Sequence, residues 1–107
     1  MQVEINNEAF DELQRYLVGE IVASVYSGLE ELRLPRSKLE DIMNTIAFNV
    51  CCVVDGSTHM KHAEQQVVPV LMFAKPNAIE EVVSSGSTSF MHEFVHKTTG
   101  EFLARQA

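Results

Sequence analysis

Apolar residues recur at steps of three and four in two long stretches of the first half of this chain. In the first stretch Phe10, Leu13, Leu17, Ile21, Val25, Leu29 and Leu32 trace one face of a helix. Val18, Val22 and Tyr26 widen that face, so the helix is expected to meet more than one partner element. Asn6 or Asn7 is placed to cap its start. With Asn6 as the cap, Ile5 and Phe10 take the two hydrophobic-staple positions. The Ser27-Gly28 pair is a weak point, and Leu34-Pro35 ends the helix because proline disfavours a helical residue before it.

The second stretch, residues 37–56, is expected to be the helix on which the rest packs. Ser37 and Glu40 have capping-box spacing, and Gly56 can turn left-handed to close the far end. Between them Leu39, Ile42, Met43, Ile46, Ala47, Val50, Cys51 and Val54 keep the helical period. From Ile46 to Val54 only Asn49 is polar, so this half is expected to be covered on every side, with Ile46 and Val50 in the core. A buried strand over 46–54 is the alternative, and the unbroken period from Leu39 speaks against it. So short a connection between the two helices makes them an antiparallel hairpin.

After Gly56 the character changes. Residues 57–66 are polar and loop-like, and Val67 to Ala74 is an apolar run of strand length. Pro69 within it points to a sheet edge or a bulge. Asn77 followed by Glu80 predicts a short helical turn through Val83, and the serine-rich 84–89 reads as a loop. Thr88 or Ser89 is placed to cap a last helix over 90–105, whose stripe is Phe90, Met91, Phe94, Val95, Thr98 and Phe102. Met1 to Ile5 alternates as a short strand does. The expected fold is a single α+β domain over 1–107: an N-terminal helical hairpin, a small sheet around 67–74 and a C-terminal helix. One clear strand is an incomplete sheet. Either 1–5 and part of 57–66 pair with it, or a second chain does, which favours a homodimer burying the 67–74 edge or part of helix 10–32.

Composition narrows the function classes. A formal net charge of −7 over 107 residues disfavours nucleic acid, since the eight Lys and Arg are scattered. No apolar run approaches the length of a membrane span, and the polar, acidic first residues do not read as a secretory signal. The only cysteines, Cys51 and Cys52, are neighbours on a helix and poorly placed to pair. Reduced thiols point to a cytoplasmic location.

His92-Glu93-Phe94-Val95-His96 spells H-E-x-x-H and resembles the zincin metalloprotease motif over these five residues. The resemblance implies His92 and His96 as zinc ligands and Glu93 as general base. The metzincin extension wants Gly and His at the places that here hold Thr99 and Phe102. The helical wheel sets both histidines away from the apolar stripe, facing water or a partner. Cys51, Cys52, His59 and His62 offer metal-ligand chemistry, but adjacent cysteines in an apolar helix project in different directions and read as core. Asp55-Gly56-Ser57-Thr58 lacks the repeats of a phosphate or calcium loop and reads as a helix end and a turn. The 84–89 loop lacks the lysine of a phosphate cradle. Glu30, Glu31, Glu40 and Asp41 read as a solvated corner, while Asn44 and Asn49 need hydrogen-bond partners if buried.

No catalytic, cofactor or metal residue is therefore assigned. The expected function is a non-catalytic protein-interaction or regulatory module, acting as a homodimer. A small-molecule pocket lined by Met43, Phe48, Met72 and Phe73 is the alternative, and a zinc hydrolase through His92, Glu93 and His96 the third.

Overall fold

A computed structural model describes residues 1–106. The elements in chain order are β1 (Gln2–Ile5), α1 (Asn7–Leu29), α2 (Arg36–Val54), β2 (Met60–His62), β3 (Gln65–Val67), β4 (Glu81–Ser84) and α3 (Val95–Arg105). One 3-10 turn, Glu30–Leu32, extends α1, and a second, Met91–Phe94, leads into α3. This is the α+β arrangement that the periodicity predicts, with the long helix first and a helix last.

The Asn6 side chain accepts from the Ala9 amide at 3.0 Å and opens α1 as an N-cap. The Ser37–Glu40 capping box does not form. Proline pre-organises the entry, so Pro35 stands at the N-cap of α2, and Ser37 lies inside the first turn. Gly56 follows α2 with φ +79°, the left-handed residue expected there.

Three helices share one core. Val18 and Val22 of α1 meet Met43, Ala47 and Cys51 of α2, with Met91, Val95 and Leu103 from the C-terminal segment. Tyr26 and Phe102 close one end edge to face, with ring centres 5.1 Å apart. The buried line of α2 is thus 43, 47 and 51. Ile46, Val50 and Val53 lie about a quarter-turn away and are 38%, 42% and 49% exposed. This overturns the expectation of cover on every side. Three helices can bury one stripe of α2 and its flanks, and among the described residues no further element packs over 46–53. On the C-terminal segment the buried line is Met91, Val95, Thr99 and Leu103: Met91 and Val95 of the predicted stripe are in it, Phe94 and Phe102 flank it half-buried, and Phe90 is exposed.

The sheet is placed differently from the expected one. β1 pairs in parallel with β4, Gln2 opposite Glu81 through Ile5 opposite Ser84. Hence the predicted helical turn at 77–83 ends in strand, and 1–5 pairs there rather than with 67–74. In the apolar run Val67 ends the β2–β3 hairpin, and Phe73 makes a single antiparallel bridge to Val83. The rest of that run has no ladder, and Val68, Val70 and Met72 are exposed. Pro69 is the physical reason, because a residue without an N–H breaks the ladder.

Candidate functional site

The most structured polar cluster sits where the end of α2 meets the start of the C-terminal segment. Asp55, the residue that closes α2, has a side chain only 1% exposed. Its Oδ1 accepts from Ser89 Oγ at 2.5 Å and from the Met91 amide at 2.9 Å. Its Oδ2 accepts from the His92 amide at 2.8 Å and pairs with His92 Nδ1 at 2.6 Å. The preceding amide, Phe90 N–H, donates to Oε1 of the fully buried Gln14 at 3.1 Å. Three consecutive amides at the start of a helical segment have no partner inside it. Here side chains from two other helices satisfy all three.

Burial by itself pushes the Asp55 carboxyl up. The hydrogen bonds from Ser89, from His92 through backbone and ring, and from Met91 outweigh that and hold it below its usual value of 3.8. An ionised carboxylate only accepts, so its contact with His92 requires the proton on Nδ1 and leaves Nε2 as the second ring position. The ring is about one-third exposed and lies edge to face with Phe48 at 5.7 Å. The arrangement orients an imidazole, but its first consequence is structural: it fastens α2 to the C-terminal segment.

The H-E-x-x-H stretch does not lie on one continuous α-helix. His92 and Glu93 belong to the 3-10 turn, His96 to the first turn of α3. Phe48 touches both imidazoles, at 5.7 and 6.1 Å. The wheel sets His92 toward water or a partner; in the fold its ring is about one-third exposed and Asp55 of the same chain binds it. His96 and Glu93 are exposed. Among the described residues no three His, Cys, Asp or Glu side chains come together as a ligand set.

The remaining candidates disperse. Cys51 lies in the core, whereas His59 and His62 are exposed on the hairpin, where His59 Nδ1 meets Gln66 Nε2 at 3.0 Å. Burial first, then the nearby Asp55 and Cys52, push the Cys51 thiol up to about 11. A thiol reagent at pH 8 is therefore expected to label Cys52 quickly and Cys51 only on unfolding; mass spectrometry of the labelled protein checks this. The 84–89 loop spends its polar groups on itself and on Asp55: Ser84 Oγ takes the Gly86 amide and Ser85 Oγ the Ser87 amide. Asn49 is exposed, while Asn44 Oδ1 and Thr99 Oγ1 are buried with no partner among the described residues.

An open groove of about 980 Å³ runs between β1, β4, Leu13 of α1 and the 73–78 segment. It lies between a hairpin helix and the sheet, but of the four expected lining residues only Phe73 reaches it. Met43 is sealed in the core, Phe48 packs on the histidines, and Met72 is exposed. Sequence reasoning missed Asp55 and Gln14. Gln14 leaves a trace, a polar residue between Phe10 and Val18 on the buried face, whereas nothing local to Asp55 announces its partners 34 to 37 residues on.

The chain matches no protein-family model, no curated protein and no solved structure.

Proposed function

We propose that this protein is a non-catalytic interaction module of the cytoplasm that acts as a homodimer. The observation that carries this reading is a surplus of surface. The chain exposes 7345 Å², whereas a folded monomer of 12.0 kDa is expected to expose about 6000 Å². A protein–protein interface of ordinary size takes about 800 Å² from each partner, so the surplus is enough for one.

Its chemistry supports the reading. Ile46, Val50 and Val53 of α2, Val3 and Ile5 of β1, and Val68 and Val70 beyond the hairpin are large aliphatics in water. Apolar side chains left in water along one strand or one helix face are surface that a second chain can cover. The buried polar cluster around Asp55 is used to join helices, and neither the 980 Å³ groove nor the smaller one between α1 and α3 includes His92. Light scattering behind size exclusion tests the reading. The untagged chain should run at twice 12.0 kDa across the micromolar range. A mass of one chain at every concentration overturns it.

A further inference from the structure

We propose that two copies of this chain join edge to edge through β1, antiparallel, about a two-fold axis that passes beside Val3. This rests on the homodimer reading above and names its interface. Among the named elements β1 packs only on β4, and each of its residues is exposed. A parallel pair of strands with one side open is a fragment of a sheet, because parallel sheets are normally covered and continued.

The hydrogen bonds already made fix which groups are free. Gln2 N–H donates to Glu80 O at 2.6 Å and Asn6 N–H to Ser84 O at 3.0 Å, both toward β4. Along a strand, residues two apart send their backbone groups to the same neighbour. The amides and carbonyls of Val3 and Ile5 therefore turn to the open edge. An antiparallel partner meeting that edge must form its hydrogen-bonded pairs at odd positions. With a second copy as partner, the symmetric register that does this and pairs the whole of residues 1–5 sets Val3 opposite Val3 and Met1 opposite Ile5, whereas centring one residue later would set Glu4 against Glu4.

Side chains agree with that register. The odd positions Met1, Val3 and Ile5 are all apolar and share the sheet face of Val82 and Ser84. Paired, they cover one another beside the groove that Val3 and Val82 line. On the other face Gln2 stands opposite Glu4 of the second copy, where the amide can donate to the carboxylate. The two Glu4 carboxylates are then diagonal neighbours and not directly opposite, although the chain carries −7. A self-complementary edge of this kind favours a second copy over an unrelated strand.

The test uses the fact that position 3 faces itself. Val3→Lys and Val3→Glu each keep the backbone amide but put like charges on the axis. Each is expected to raise the dimer dissociation constant at least tenfold, read by light scattering or analytical ultracentrifugation. Mixed in equal amounts, the two should regain a dimer mass, since Lys then faces Glu. Val50→Asp, on the exposed face of α2, is the contrast and should leave the dimer intact. Slow exchange of the Val3 and Ile5 amides in the wild type, lost in either single variant, is the second expected readout. If Val3→Lys remains dimeric while Val50→Asp is monomeric, the edge is wrong and the homodimer reading stands. If the charged variants dissociate but their mixture does not reassociate, the axis at Val3 is overturned. If the wild type is a monomer, both fall together.

Discussion

Asp55→Ala is expected to lower the stability of the folded chain by about 3 kcal/mol, a large part of the ~5–15 kcal/mol a small domain holds. The loss arises from what the substitution leaves behind. Ser89 Oγ, the Met91 and His92 amides and His92 Nδ1 are four donors around a carboxylate that is itself almost wholly buried, and the partly exposed ring can turn to water. The hydroxyl can rotate to another partner and the His92 amide can reach water, so the Met91 amide bears most of the cost. Asp55→Asn should cost roughly half as much, because its oxygen can still accept from Ser89 and Met91 while its amide nitrogen opposes the His92 amide. Urea denaturation of the three proteins at pH 7 measures both differences. Equal midpoints would show that the cluster holds nothing.

The same carboxylate sets the acid limb of stability. Its pKa in the folded chain is held below 3.8, so the unfolded state takes up a proton first as pH falls. The stability it contributes is fully present above that value and is lost as pH drops through the folded pKa. Asp55→Asn has no such proton to bind, and its stability should fall less steeply between pH 5 and the acid limit than that of the wild type.

Met43→Ala should cost about 2–5 kcal/mol, the range for a large apolar side chain removed from a closed core. Met43 has no exposed surface and meets residues of α1, α2 and α3 at the centre of the cluster. Ile46→Ala, three residues on, should cost no more than about 1.5 kcal/mol, because over a third of that side chain is already in water. Denaturation of both variants at low protein concentration decides it. Helical period alone assigns Ile46 to the buried face. A midpoint for Ile46→Ala as low as that of Met43→Ala would restore that assignment.

That pair of residues shows what the sequence by itself determined. It placed α1, α2 and the C-terminal helix within a few residues, because each carries a period of three and four that puts apolar side chains on one helical face for burial. It also narrowed the first cap to Asn6 or Asn7, of which Asn6 serves, and placed the left-handed Gly56; both depend on neighbours within four residues. It did not fix which line of α2 faces inward. Leu39 to Val54 is apolar over so wide an arc that 43–47–51 and 46–50 fit the period equally well. Only the positions of α1 and α3 choose between them.

The strands were decided the same way. Val67 to Ala74 has the composition of a strand, yet Glu81 to Ser84 forms one because β1, almost eighty residues earlier, lies beside it. Backbone pairing between distant segments leaves no local mark on either. Asp55 is the extreme case. In the sequence it closes a helix, and in the folded chain it also caps the start of another segment 36 residues later. A local pattern can specify a helix end, but only tertiary packing can bring a buried carboxylate to four donors that the chain's own order keeps far away.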